Sequence, residues 1–166
     1  MTTYSDRDAI GLLVSRFFRS LDQRHERPLD AEWVRAFATD DDVRSETPVG
    51  STEGAGPLLR HTTEALDRFA RTQHLTSDLL IDVEPGAATA TASWNALMTH
   101  VHLDSTLGDR GPDADPLFTV GALYRAELLR TPAGWRFRRV GIDVLWTRGL
   151  PPVLPVASGQ AKSAAA

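Results

Sequence analysis

The side chains able to do chemistry in this chain are few, and their types point to proton transfer. His100 and His102 alternate along a candidate strand with Trp94, Ala96 and Met98, so these five share one face, while Asn95, Leu97, Thr99 and Val101 share the other. Two histidines at i and i+2 can form a general acid–base pair or a metal-binding pair, or lie exposed at a strand end beside a polar loop. No third ligand of matching spacing accompanies them, so no metal is expected. His74, in Arg71-Thr72-Gln73-His74, falls between a helix and a strand, where it can reach a ligand and titrate, or merely bond loop backbone. Asp22 flanks the apolar stripe of the first helix one turn after Phe18. An apolar wall would raise its pKa, and a solvated helix end would leave it idle. Asp143 lies within Val140-Gly141-Ile142-Asp143-Val144-Leu145-Trp146 and needs a donor, an arginine for instance, or must stay protonated. Tyr124, the one tyrosine of the sheet region, can donate to an oxyanion or simply pack.

Absences narrow the chemistry further. There is no cysteine, which removes thiolate nucleophiles, thiolate metal sites and redox switching together. The single lysine, Lys162, falls in the final segment, so a Schiff-base or phosphate-loop lysine is not expected. An enzyme built from this chain would work with His, Asp, Glu, Tyr and Arg.

The elements that must position these groups follow from periodicity. Ser5-Asp6-Arg7-Asp8 has capping-box spacing, and Ile10, Leu13, Val14, Phe17, Phe18 and Leu21 paint one helical stripe after it. Asp30 can cap a shorter helix whose Trp33, Val34 and Phe37 share a face. Val43 to Val49 reads as a short strand, Gly50 to Gly56 as a flexible loop, and Pro57 as the first turn of a third helix with Leu58, Thr62, Ala65, Leu66 and Phe69 inward. Beyond residue 72 the period becomes 2, predicting strands over His74–Val83, Ala88–Leu103, Leu117–Leu129 and Gly134–Trp146. Asp104 to Pro116 reads as a loop, and the chain from Leu150 to Ala166 as a mobile tail following a single domain over residues 1–149. A strand running from Ala88 to Leu103 at roughly 3.3 Å per residue spans about 50 Å. A domain of this size has a radius of gyration of only about 15 Å. The sheet must therefore coil, and helices on its concave side would leave a cone with a cavity.

Composition is that of an ordinary globular domain, with 42% hydrophobic and 24% charged residues among 166. A net charge of -4 argues against nucleic-acid binding, which needs a basic stripe. No long apolar run suggests a membrane span, and the polar start from Met1 to Asp8 does not resemble a signal peptide, so the cytoplasm is the expected compartment.

The order of three helices and four long strands, with specific residues, resembles the SnoaL-like branch of the nuclear-transport-factor-2-like superfamily. The matching pieces are Phe17-Phe18-Arg19-Ser20-Leu21-Asp22, Trp33, Phe37-Ala38-Thr39-Asp40-Asp41, Thr72-Gln73-His74, Ala90-Thr91-Ala92-Ser93-Trp94, Gly121 with Tyr124, and Gly134-Trp135-Arg136-Phe137. The resemblance implies an α+β cone: three N-terminal helices on a strongly curved mixed or antiparallel sheet, with an internal apolar pocket and homodimers formed through the outer sheet face. It implies a cofactor-independent dehydratase, cyclase or isomerase acting on an apolar, polyketide- or steroid-like molecule, with no nucleic acid or membrane partner. Asp22 and His74 match the aspartate and histidine that pair in dehydratase-like members, with His74 as base, Asp22 orienting it, and His100 or His102 as acid. Phe17, Phe18, Trp33, Trp94, Met98, Tyr124 and Asp143 are the expected substrate contacts. Phe17 or Phe18 stands where a helix tyrosine is common, and Asp78 replaces a common asparagine. Those departures, and the many members without turnover, keep a ligand-binding or assembly module as the alternative.

Overall fold

The fold was analysed in a computed structural model, which describes residues 5–40, 42–48 and 50–152. Lys162, Asp41, Val49 and most of the expected tail lie outside the described residues. The chain forms α1 (Asp6–Asp22), α2 (Ala31–Phe37), β1 (Arg44–Thr47), β2 (Gly50–Glu53) and α3 (Ala55–Leu66). β3 (Phe69–Asp82), β4 (Thr89–His102), α4 (Asp104–Arg110), β5 (Leu117–Thr131) and β6 (Gly134–Arg148) follow. One six-stranded sheet has the order β2-β1-β6-β5-β4-β3. It is antiparallel except where β1 runs parallel to β6, which makes it mixed.

Local chemistry explains the helix starts. Ser5 Oγ accepts from the Asp8 N–H at 3.2 Å, and the Asp8 carboxylate accepts from the Ser5 N–H at 3.3 Å, completing the capping box. Asp30 accepts the Trp33 N–H at 2.9 Å and starts α2. Asp6, on the first turn of α1, accepts from Arg130 at 2.6 Å and from the Trp135 indole at 3.1 Å, tying that turn to the β5–β6 hairpin.

The expected alternation on β4 holds. Ala90, Ala92, Trp94, Ala96, Met98, His100 and His102 are all buried against the helices, and the intervening residues face outward. Curvature enters at bulges: Ser77/Leu80 on β3, where Asp78 adopts φ 53, and Gly121/Ala122 and Glu127/Leu128 between β5 and β6. Aspartate tolerates that left-handed backbone better than most residues. Glycine suits position 121 because the Trp146 indole lies where a Cβ would sit. The core is continuous, with Phe17 at its aromatic centre, its ring centroid within 5.7 Å of those of Phe18, Trp33, Phe37 and Phe137.

Several sequence expectations are corrected. Gly50–Glu53 is a strand, because its backbone pairs with β1 and supplies the order that its side chains do not encode. The third helix begins at Ala55, before Pro57, and β3 begins at Phe69, so His74 lies within a strand. Asp104–Arg110 forms α4, with Asp104 in its first turn, Arg110 in its last and Gly111 at φ 93 ending it. The outer sheet face is uncovered here: Leu75, Leu97 and Trp146 are 56%, 39% and 50% exposed. No described helix is long and apolar enough to cross a membrane.

Trp94 is 1% exposed and stacks on Tyr124 with centroids 5.4 Å apart. Trp94→Ala is expected to lower unfolding free energy by about 3–5 kcal/mol through lost transfer energy and a residual cavity, read by urea denaturation.

Candidate functional site

The site is assembled where α1, α3 and β3 meet. α1 ends at Asp22, and two residues on, Arg24 turns inward and is 7% exposed. Its guanidinium donates to the carbonyls of Leu21 at 3.3 Å, Leu66 at 3.1 Å and Phe69 at 2.9 Å, and to Thr72 Oγ1 at 3.0 Å. Leu21 and Leu66 lie in the last turns of their helices, where carbonyls lack intrahelical partners. Thr72, having accepted from Arg24, turns its hydroxyl hydrogen to Asp22 Oδ1 at 2.9 Å. His74 lies two residues on and therefore on the same face of β3. Its backbone N–H donates to Asp22 Oδ2 at 2.9 Å, and its ring Nδ1 donates to Asp22 Oδ1 at 2.6 Å.

These bonds reverse the expected electrostatics of Asp22. Burial alone would raise its pKa, as the sequence reading has it. The hydrogen bonds from the His74 ring and backbone and from Thr72 outweigh burial and hold the carboxyl below its ordinary 3.8. A carboxylate can only accept, so His74 carries its hydrogen on Nδ1 and leaves Nε2 for other chemistry.

The His74 side chain is only 4% exposed and borders an apolar cavity of about 500 Å³. Phe17, Trp33, Phe69, Met98, His100 and Tyr124 contribute to the walls. The His74 and His100 rings stand nearly perpendicular, their centroids 5.8 Å apart. His100 Nδ1 donates to the Phe118 carbonyl at 3.1 Å. Burial, with repulsion between the two imidazoles when both carry protons, pushes the His100 pKa down to about 4, so the ring is neutral at neutral pH. The Tyr124 hydroxyl donates to Met98 Sδ at 3.1 Å, and complete burial raises its pKa, keeping it protonated.

The other expected site residues go elsewhere. His102 is 1% exposed but is not on the cavity wall. Its Nε2 lies 3.0 Å from the Leu150 carbonyl and 3.1 Å from Arg110, while Nδ1 is buried without a partner among the described residues. The shared strand face buried both histidines, but the end of β4 runs past the cavity toward α4. Phe18 backs the His74 ring at 5.4 Å, and Trp94 packs behind Tyr124; neither lines the cavity. Asp143 is exposed on the outer face and pairs with Arg125, which supplies the arginine partner and removes it from substrate contact. A wider outer trough of about 790 Å³ lies over that charged surface and contains none of the histidines. Among the described residues, no three His, Cys, Asp or Glu side chains gather to hold a metal.

Arg24 and Thr72 are the residues that sequence reasoning missed. In the sequence Arg24 only interrupts an apolar pattern, and nothing local marks it as buried. Leu150 also departs from a free tail, since its carbonyl meets His102, and Pro151 accepts from Arg110 at 2.5 Å and lines the cavity with Pro152.

His100 makes stability depend on pH. Its folded pKa of about 4 lies below the ordinary 6.5, so from pH 6.5 downward the unfolded chain takes up a proton that the folded protein refuses. Stability should fall on acidification by up to roughly 1.4 kcal/mol per pH unit between those values. His100→Phe is expected to flatten that slope in denaturant titrations at pH 7, 6 and 5.

Comparison with solved structures places the fold among known cones. A Kribbella flavida protein superposes with TM-score 0.73 at 18% identity, covering 86% of this chain and 93% of that one. A hexachlorocyclohexane dehydrochlorinase from Novosphingobium barchaimii superposes with TM-score 0.68 at 16% identity, covering 90% and 93%. A nuclear-transport-factor-2-like superfamily protein from Salmonella enterica gives 0.67 at 16%, covering 93% and 97%. No curated protein sequence matches the chain. The SnoaL-like domain profile matches residues 2–141, so the chain belongs to the SnoaL-like domain family.

Proposed function

We propose that this protein is a cofactor-independent lyase or isomerase that removes a proton from an apolar small molecule, of polyketide- or steroid-like character, inside the cone. The observation that carries the reading is His74, held by Asp22 at 2.6 Å, beside an apolar cavity of about 500 Å³. A carboxylate behind Nδ1 fixes the tautomer and leaves the Nε2 lone pair free to accept a proton. The dehydrochlorinase with the same cone is named for an elimination, a reaction of this class.

In the proposed reaction, His74 Nε2 takes a proton from carbon next to an electron-withdrawing group. The released electron pair forms a double bond as a leaving group departs, or shifts an existing one. The acid expected among the histidines changes. His102 is off the cavity and His100 is neutral, so the Tyr124 hydroxyl, with only a sulfur acceptor, becomes the donor for a developing oxyanion.

Exchange of a carbonyl compound's α-hydrogens for deuterium, followed by NMR over a panel of apolar ketones, tests the base without requiring the natural leaving group. Wild type should catalyse exchange, and His74→Ala should lose roughly a hundred- to ten-thousandfold. Asp22→Asn should fold yet lose activity, because its amide can donate to Nδ1 and favour the wrong tautomer. Ligands that bind without exchange in any protein would favour the non-catalytic binding module.

We further propose that a second copy covers the outer face. Leu75 pairs with Leu97, Leu97 with Gly121 and Gly121 with Trp146, which makes an exposed apolar row across four strands. Wild type should sediment as a dimer and Leu97→Asp as a folded monomer; a monomeric wild type would end the idea.

A further inference from the structure

The cavity floor carries a feature that proton abstraction alone does not use. His100 Nδ1 faces the Phe118 carbonyl, an acceptor, at 3.1 Å, so the single ring hydrogen of neutral His100 is on Nδ1. Nε2 therefore presents a lone pair. It has no hydrogen-bond partner among the described residues, and it is not one of the fully enclosed orphan atoms, which include Arg24 Nε and Trp94 Nε1. The ring is on the cavity wall and Nδ1 is turned to the Phe118 carbonyl, so Nε2 is the ring nitrogen left for a ligand.

Its surroundings decide what it can hold. His74 stands 5.8 Å away, centroid to centroid, its own Nδ1 committed to Asp22. The one buried cation nearby, Arg24, is behind Thr72 with its bonds directed at carbonyls and a hydroxyl, and it does not line the cavity. The adjoining walls, Phe69 at 4.4 Å and Phe118 at 5.9 Å from the His100 ring, are apolar. Arg44 and Arg68 also line the cavity, so charge alone does not exclude an anion; at His100 itself a carboxylate would set acceptor against acceptor, whereas a hydroxyl could donate into the waiting lone pair.

We propose that His100 is a specificity-determining acceptor, and that the ligand is an apolar molecule carrying a hydroxyl group that donates to His100 Nε2, within one small molecule's reach of the carbon facing His74. This rests on reading the cavity as the substrate site. It turns the expected acid into a recognition group: His100 holds a substrate hydroxyl and gives up no proton at neutral pH. The depressed His100 pKa agrees with the geometry, since the acceptor form persists well below neutrality.

The test uses 2-naphthol and 2-methoxynaphthalene, two-ring probes small enough for a cavity of about 500 Å³. Dissociation constants are measured calorimetrically at pH 7 for wild type and His100→Phe. Wild type should prefer naphthol to its methyl ether by roughly three- to tenfold, the worth of one net hydrogen bond. In His100→Phe the two should bind within about twofold of each other. Equal naphthol and ether affinities in wild type, a preference surviving in His100→Phe, or no binding by either probe would each overturn the proposal. The wild-type comparison needs no variant, so a misfolded His100→Phe does not spoil it. Binding alone is read, so loss of deuterium exchange in the earlier experiment leaves this inference standing. Failure here likewise leaves His74 as base.

Discussion

One buried cation organises the His74 end of the cone. The Arg24 guanidinium is 7% exposed and bonds α1, α3 and β3 at once, through the Leu21, Leu66 and Phe69 carbonyls and the Thr72 hydroxyl. Removing a guanidinium from water costs several kcal/mol, so the arrangement holds only while all these acceptors stay in place. Asp22 supplies part of the compensating negative charge and Asp67 more. The same contact sets the direction of the Thr72 hydroxyl, which must then donate to Asp22. A constraint that joins three elements thus also decides which oxygen of Asp22 faces the His74 ring.

Curvature is the second requirement. Flat strands of this length could not enclose a ligand, and the bulges at Ser77/Leu80 and Gly121/Ala122 bend the sheet around the helices. The concave side then divides by polarity. Aromatic side chains make much of the wall, while His74 and His100, with His61, Arg44 and Arg68, bring polar nitrogen atoms to it. Excluding water there strengthens each remaining electrostatic contact, which is why a single carboxylate behind His74 matters. His100 shows the opposite effect: without a carboxylate of its own, burial keeps it neutral.

Much of the frame was legible in the chain. Ser5 and Asp30 announced their helices because a side chain acting within three residues is a local event, and Ala88 to Leu103 announced a strand because alternation is also local. The family resemblance carried Asp22 and His74 together, and the coordinates place them in contact. The misreadings share one cause. Asp143, Trp94 and His102 were assigned to the cavity from type and strand position, yet a bulge, a stacking neighbour and the strand's end placed them elsewhere. Gly50–Glu53 became a strand only because β1 was there to pair with it.

By itself the sequence determined the α+β cone, the inward face of α1 and β4, and the restriction to histidine, carboxylate, tyrosine and arginine chemistry, because composition and periodicity act along the chain. Only the tertiary structure decided that Asp22 is held ionised, that Arg24 is its buried support, that His100 offers an acceptor, and that His102 stands apart. Those properties depend on which groups from distant segments meet in a space without water, and no local pattern encodes that meeting.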